Sequence, residues 1–322
     1  MKTTRRRFLE GTAAAAAIAA APGILKAKAQ SSDAKTIKAV LHGDLKVFDP
    51  VWTTANMTGN HGLLIYDTLL GKDASGKVHP QMVDKWAISD DQKTYSFQLR
   101  DGLKFHDGQD VTSADCVASI RRWSARDAAG QHMFRRVADT RVKDDKTFEI
   151  VLSEPYGLVL NALGKLETNL PVIMRKKDAE TDPNQQVTNK IGSGPFKFNE
   201  DQTRAGPRYV YDKNEAYVPR SGPASGFSGA KVAHVDRVII EHIADQQTAL
   251  AALKAGEIDF YETPPLDLID QLEGDKNIKL DVLNKSGNVG MCRLNFLHPP
   301  FDNVYARQAM LHLIKQEDIL AA

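Results

Sequence analysis

The 322-residue sequence has only two cysteines, Cys116 and Cys292. Two thiols so far apart do not make a disulfide framework. We expect two separate thiols, although an oxidising compartment would permit one bond between them. The sequence also lacks the short motifs of serine hydrolases, zinc proteases, phosphate-binding loops and dithiol oxidoreductases, and its nine histidines are scattered. It therefore predicts no catalytic residue, metal site or cofactor, and it disfavours an enzyme, with a secreted hydrolase as a distant alternative.

Long apolar runs are also scarce, and the clearest one lies near the N-terminus. Residues 11–25 are apolar but mostly alanine, too short and too weakly hydrophobic for an ordinary membrane span. The pair Arg5 and Arg6 precedes this run, and Ala29 ends a small-residue cleavage pattern. Residues 1–29 are therefore predicted to be a twin-arginine signal peptide, cleaved after Ala29, that takes the protein through the Tat translocase to the periplasm. The alternative is an uncleaved anchor.

No strong charge of either sign remains once this leader is set aside. Removing its six basic residues and one acidic residue leaves 36 basic and 40 acidic residues, a net charge of −4. A nucleic-acid partner would require a basic surface, so none is expected. The remaining length of about 290 residues exceeds one ordinary hydrophobic core, which predicts more than one lobe.

The most informative segment of the sequence is the block 79–123. Residues 95–100 alternate apolar and polar side chains, which predicts a half-buried strand. Residues 103–105 are expected to form a short return strand after an Asp-Gly turn. Thr112 and Asp115 fit a capping box that starts a helix with one apolar face.

Strand-type and helix-type patterns alternate along the rest of the chain, which predicts a mixed α and β fold. We expect strands at 36–41, at 142–152 as a pair and at 235–242, and helices at 62–70, 245–255 and 305–320. A Gly-rich turn at 191–196 leads to another strand, and residues 220–229 form a loop rich in Gly, Ser and Pro. Because the last helical pattern runs to the final residues without a polar finish, we expect this sequence to be part of a longer chain.

Six stretches carry a resemblance to a known family when they are taken in order. They are Phe48-Asp49-Pro50, Tyr66-Asp67-Thr68-Leu69, the block 79–123, residues 191–196, residues 253–259 and the segment 295–309. Together they resemble the family 5 extracellular solute-binding proteins of ABC importers, which include peptide, dipeptide and nickel-type periplasmic binding proteins.

The resemblance implies an α/β fold of the class II periplasmic-binding-protein type, with two lobes and an extra subdomain on lobe I. Residues 36–62 and 190–282 would form the main part of lobe I, and residues 63–189 the accessory subdomain. Residues 283–322 would begin an incomplete lobe II, with a strand crossing between the lobes near 283–295.

The resemblance also implies a function. The protein would capture a small solute, with a di- or oligopeptide as the expected ligand, and hinge closure would hold it for a membrane permease. The permease and the ATPase subunits would be separate chains, and the binding protein would be a monomer. Alternatives are a carrier of a nickel or haem chelate or another non-peptide solute, and a chaperone or signalling receptor without transport.

Two segments are candidates for contact with the ligand. The loop after the Asp-Pro turn offers short polar groups and apolar area, a mixture suited to a small-molecule cleft, and residues 286–291 offer glycines that allow close backbone approach. The candidate residues are Trp52, Thr54, Asn56, Met57, Gly287, Asn288 and Val289. The alternatives are an ordinary surface loop and a twisted strand. Asp49 is expected to brace its own turn rather than to bind ligand.

Overall fold

The computed structural model describes residues 35–165, 167–283, 285, 287 and 290–320. The chain forms two compact units, one up to Leu266 and one from Asp267 onward. The strands are β1 (Thr36–Val40), β2 (Leu70–Lys72), β3 (Val78–Pro80), β4 (Val83–Ile88), β5 (Thr94–Leu99), β6 (Val137–Val142), β7 (Thr147–Leu152), β8 (Phe196–Phe198), β9 (Arg208–Lys213), β10 (Arg237–Glu241) and β11 (Phe260–Tyr261). The helices are α1 (Asn56–Ile65), α2 (Ser113–Arg126), α3 (Ala128–Phe134), α4 (Val159–Leu163), α5 (Lys176–Ala179), α6 (Gln246–Lys254), α7 (Val304–Leu313) and α8 (Gln316–Leu320), and a 3₁₀ helix covers Leu266–Gln271.

A five-stranded sheet in the order β11-β1-β10-β9-β8 forms the centre of the first unit. Strand β1 is parallel to both of its neighbours, with Ala39 opposite Ile240 on one side and Phe260 on the other. Strands β9 and β8 continue the sheet in antiparallel pairing. The carboxyl ends of β1, β10 and β11 therefore meet at one edge.

Helices cover both faces of this sheet. Met57 and Ile65 of α1 are buried in the same core cluster as Ile240 of the sheet. On the other face, Val40 is buried with Ala249 of α6 in a separate small cluster. Residues of α1 line one cavity together with residues of β1, β10 and β11, so α1 faces this part of the sheet.

A second, antiparallel sheet in the order β4-β5-β7-β6 is built from the middle of the first unit. Its strand β5 confirms the predicted alternation, because Tyr95, Phe97 and Leu99 are buried while Gln98 is exposed. The Phe97 and Phe148 rings stack across the β5–β7 pair, with centroids 5.1 Å apart. Strands β6 and β7 confirm a strand pair around the predicted 144–146 turn, but β6 ends at Val142, where the predicted pair began.

The capping box that begins α2 is also confirmed. The Thr112 backbone N–H donates to Asp115 Oδ2 at 2.8 Å, and the Asp115 N–H donates to Thr112 Oγ1 at 3.4 Å. Both groups would otherwise lack an intrahelical partner. The predicted apolar face of α2 is buried, and it includes Cys116 and Trp123, each with no exposed side-chain area.

Some predicted element bounds are wrong. The helix predicted at 62–70 instead spans Asn56–Ile65, and Leu70 begins strand β2. The helix ends at Ile65 because the Ile65 carbonyl accepts a hydrogen bond from Gly194 N at 2.9 Å rather than from a following helical turn. The predicted return strand at 103–105 is absent, and Lys104 makes only an isolated bridge to Asp110.

The C-terminal predictions also change in the structure. The helix predicted at 305–320 is divided into α7 and α8, because Ile314 adopts an extended backbone between them. The residues of 283–295 that the structure describes do not lie in a strand. The division into lobes stays a prediction.

Across the described ranges, no helix is both long enough and apolar enough to cross a membrane. The predicted signal residues Arg5 and Arg6 and the cleavage site at Ala29 lie outside the described residues.

Cys116 and Cys292 are both free thiols, the first buried and the second exposed. Burial raises the pKa of the Cys116 thiol well above its usual value, which makes that thiol unreactive.

Candidate functional site

The Asp49 side chain stabilises the loop that follows the Asp-Pro turn. One carboxylate oxygen of Asp49 accepts hydrogen bonds from the backbone N–H groups of Val51 at 3.0 Å and Trp52 at 3.2 Å. This geometry confirms that Asp49 braces its own turn. The carboxylate is fully buried, so it is not available to a ligand.

Asp49 also forms a buried ion pair that the sequence did not indicate. Its second oxygen lies 2.6 Å from Arg122 Nη2, and neither side chain has exposed area. The same guanidinium donates to the backbone carbonyls of Thr181 and Gln185, and Val187 N–H donates to Asp49. Arg122 thereby ties α2, the 49–52 turn and the 181–187 segment together.

The predicted ligand residues of the loop do not share one environment. The indole Nε1 of Trp52 donates to the Asn184 carbonyl at 3.2 Å, and the Arg126 guanidinium lies over its ring at 5.5 Å. Thr54 and Asn56 are exposed. Met57 is buried in the hydrophobic core, so its side chain stabilises the loop by packing against that core. Contact of these four residues with a ligand stays a prediction.

The second candidate segment belongs to the second unit. Gly287 has a φ of +74°, a conformation that glycine adopts readily and that fits the expected role of its backbone. Asn288 and Val289 lie outside the described residues. Their contact with a ligand also stays a prediction.

The edge where the parallel strands end brings together polar groups that the sequence analysis did not select. Ligands of open α/β sheets bind outside the carboxyl ends of the strands. Here the chain leaves β1 at His42 and leaves β11 at Glu262. The backbone N–H and the ring Nδ1 of His42 both lie within hydrogen-bond distance of Glu262 Oε2, at 3.0 and 2.7 Å. These contacts hold the carboxylate at the edge of the sheet.

Asp44 extends this polar edge along the segment that follows β1. The Tyr209 hydroxyl lies 3.1 Å from Asp44 Oδ1 and 2.6 Å from the Leu45 carbonyl. Burial and the Asp44 carboxylate raise the pKa of the Tyr209 phenol, so the hydroxyl stays protonated and donates. The segment after β1 is therefore fixed to the sheet before it reaches the Asp-Pro turn.

An open cavity of about 350 Å³ adjoins this edge. Its lining is mostly apolar and carries one amide and one carboxylate. The lining residues are Ala39, Leu41, Asn60, Leu63, Leu64, Val238, Ile240, Phe260 and Glu262. Apolar walls with a few placed polar groups are typical of small-molecule sites.

The Gly-rich turn at 191–196 is hydrogen-bonded to His106, which lies in the segment between β5 and α2. Gly192 N–H donates to His106 Nδ1, and His106 Nε2–H donates to the Gly194 carbonyl, both at 3.2 Å. Burial lowers the pKa of His106 to about 4, with a further contribution from Lys197. The ring is therefore neutral at pH 7, and protonation of Nδ1 would break the bond from Gly192.

Stability is expected to fall as the pH is lowered from about 6.5 to about 4. The unfolded chain binds a proton on His106 near pH 6.5, whereas the folded chain binds it only near pH 4. This difference lowers the free energy of unfolding by up to about 3 kcal/mol, and the contribution of His106 levels off below pH 4. Buried His61, whose pKa burial lowers to about 3, adds to the loss over the same range. Urea unfolding followed at several pH values measures it.

Matched variants separate His106 from other titrating groups. His106→Asn should reduce the pH dependence between 6.5 and 4 and leave the part that comes from buried His61, whose pKa burial lowers to about 3, although it lowers stability at pH 7. His234→Asn, at an exposed histidine, should leave the pH dependence unchanged. An unchanged pH profile in His106→Asn would contradict the prediction.

Within the part of the chain that the structure describes, no group of His, Cys, Asp and Glu side chains could hold a metal ion. The described residues instead offer an apolar cavity, a positioned carboxylate and a loop of short polar side chains.

Comparison with known proteins decides the family. A model of the bacterial extracellular solute-binding proteins, family 5, matches residues 77–322. The chain belongs to this family. The resemblance seen in the sequence is thus confirmed, and so is the expectation of a binding protein rather than an enzyme at the level of the family.

Curated relatives place the chain more closely within family 5. It is 48% identical over its whole length to the probable peptide ABC transporter periplasmic-binding protein y4tO of Sinorhizobium fredii, and it covers 60% of that protein. It is 24% identical to the glutathione-binding protein GsiB of Escherichia coli K12, over 88% of this chain and 52% of that protein. The chain thus spans between about half and 60% of the length of these relatives.

Solved structures confirm the mixed α/β, periplasmic-binding-protein-like fold of this family 5 chain. The dipeptide-binding protein of a Pseudoalteromonas species, in complex with Met-Leu, superposes with a TM-score of 0.72 at 19% identity, over 89% of this chain and 58% of that one. The periplasmic binding protein DppA of Helicobacter pylori, in complex with the peptide STSA, superposes with a TM-score of 0.59 at 25% identity, over 74% and 45%.

Sequence signals could have indicated part of the polar edge. Glu262 lies three residues after the Leu253–Asp259 motif, and His42 follows directly on a predicted strand. Ligands of open α/β sheets bind at the carboxyl ends of the strands, so both residues would have been selected if the parallel pairing of β1 and β11 had been known. No sequence pattern indicated the role of Arg122, because it is one charged residue on an amphipathic helix.

Proposed function

We propose that this protein is the periplasmic solute-binding component of an ABC importer and that its ligand is a di- or oligopeptide. The observation that carries the proposal is the 48% identity to y4tO along the whole chain. The cavity at the carboxyl edge of the sheet supports it, since a peptide offers both apolar side chains and polar groups to such a lining.

In this proposal the ligand binds at the edge of the first lobe and a second lobe closes over it. Closure is favoured only to the extent that the ligand makes contacts which the open form lacks. The closed form would then dock on a permease driven by separate ATPase chains. Export by the Tat translocase and a monomeric state complete the proposal.

A thermal-shift screen tests the ligand class. The full chain is heated with Met-Leu, the tetrapeptide STSA, glutathione or a nickel–histidine complex. A ligand present at about a hundred times its Kd should stabilise the fold by about 3 kcal/mol. We expect one or more of the three peptides to raise the melting temperature.

Two outcomes would overturn the peptide proposal. A rise with the nickel–histidine complex alone would identify a chelate carrier, and no rise with any peptide would remove the basis for a peptide ligand. Calorimetric titration of the tightest-binding peptide then measures its Kd.

A further inference from the structure

A second cavity, of about 360 Å³, is lined by residues of α2, β6, α5 and the segment 180–183, all within the first unit. It shares no lining residue with the cavity at the carboxyl edge of the five-stranded sheet. Its lining combines apolar side chains with three cationic residues, which are Arg121, Arg122 and Lys176. This composition differs from that of the first cavity, whose lining contains no lysine or arginine.

Two of these three cations already have a carboxylate partner. Arg122 pairs with buried Asp49, and Lys176 Nζ lies 2.5 Å from a carboxylate oxygen of Glu180, the one acidic residue in the lining. Arg121 has no carboxylate within ion-pair distance among the described residues. The cavity therefore keeps one positive charge that no protein carboxylate pairs with.

The Arg121 guanidinium is held in position by a neutral partner. Its Nε donates to the Thr140 hydroxyl at 2.9 Å, and its Nη2 donates to the hydroxyl and the carbonyl of the same residue. The carboxylate of Asp139, which precedes Thr140, pairs with Arg141 at 2.8 Å instead. Within the described ranges Nη1 has no acceptor, so two N–H donors remain for a ligand oxygen. Since Thr140 already orders the side chain, binding there costs little further side-chain freedom.

Arg122 contributes a second unused donor to the same lining. Its two Nη nitrogens donate to Asp49 and to backbone carbonyls, whereas its Nε is buried and has no hydrogen-bond partner among the described residues. A buried donor without an acceptor costs free energy, and a carboxylate oxygen is a strong acceptor for a guanidinium. Two unused guanidinium donors in one cavity therefore favour an anionic ligand.

The apolar part of the lining restricts the kind of anion. Val117 of α2 is buried, whereas Val142 at the end of β6 is 50% exposed. An aliphatic group bound against these side chains would remove apolar surface from water, and a bare inorganic anion would not. The volume of about 360 Å³ lies in the range of small-molecule sites, about 300–1,000 Å³.

We propose that this cavity is a second ligand site, which binds a small aliphatic carboxylate. The anionic group is bound by Arg121 and Arg122, and the carbon chain lies against Val117 and Val142. This inference goes beyond the proposed function, because the site is separate from the cavity in which the peptide is proposed to bind.

Titration of the ¹⁵N-labelled full chain with hexanoate, followed by NMR, tests the proposal. The Arg122 Nε–H signal reports the proposed contact directly, because its burial protects the proton from exchange with water, and it should shift to a saturating value. Hexanamide has the same chain without the charge and should bind about 10-fold more weakly. Acetate keeps the charge without the chain and should also bind about 10-fold more weakly.

Variants assign the binding to this cavity. R121M removes the unpaired charge and should bind hexanoate about 10-fold more weakly, no better than it binds hexanamide. The matched control R141M makes the same substitution on β6 outside the lining and should bind hexanoate like the wild type. A118L adds volume at a lining position of α2 without changing the charge, and it should abolish binding of both compounds. Melting curves verify that each variant is folded.

Several outcomes would overturn the carboxylate site. They are an Arg122 Nε–H signal that does not respond to hexanoate, equal affinity of the wild type for hexanoate and hexanamide, unchanged hexanoate binding in R121M, and an equal loss in R141M. Peptide affinity is measured separately, and A118L should bind peptide like the wild type. Failure of the carboxylate site would therefore leave the proposed peptide-binding function intact.

Discussion

Replacing Arg122 by methionine is expected to lower the free energy of unfolding by about 3–5 kcal/mol. Methionine keeps much of the side-chain length but removes the charge, which leaves the Asp49 carboxylate buried without its cation. The carbonyls of Thr181 and Gln185 lose their donor as well. Urea or thermal unfolding followed by circular dichroism measures the loss.

Two further variants sharpen this prediction. R141M makes the same substitution in an ion pair that is about half exposed, and it should leave the unfolding midpoint close to that of the wild type. The double variant D49L/R122M removes both buried charges and should lose less than the sum of the two single variants. A loss below about 1 kcal/mol in R122M would contradict the view that this pair organises the turn.

Replacing Phe97 by alanine is expected to cost about 3–5 kcal/mol of stability. Phe97 has no exposed area and stacks on Phe148 in the middle of the four-stranded sheet. Removing the ring loses its burial and leaves a cavity that rigid strands on either side cannot close.

The matched control is Phe227→Ala, since the Phe227 side chain is 47% exposed. It should lose well under half as much stability, because much of its ring already contacts water. Equal losses in the two variants would show that the packing of the four-stranded sheet does not depend on Phe97. Both variants should keep their affinity for peptide, relative to the folded fraction, because neither residue lines the cavity at the strand ends.

The sequence alone determined those elements whose signals are local. The alternation of residues 95–100 specified strand β5, since a half-buried strand needs one apolar face. Thr112 and Asp115 specified the start of α2, because a capping box satisfies backbone groups within four residues. The contacts by which Asp49 braces its own turn are also local, since they reach only Val51 and Trp52. The ordered motifs from Phe48 to Ala309 identified the family.

Only the tertiary structure decided the features that depend on distant partners. The Ile65 carbonyl ends α1 because it bonds to Gly194, more than a hundred residues away, and no helical pattern contains that information. Arg122 could pair with Asp49 only once α2 had packed beside the turn. His42 and Glu262 are 220 residues apart, and the parallel pairing of β1 with β11 makes them neighbours. Periodicity reports which face of an element is buried, but it does not say which element lies against that face.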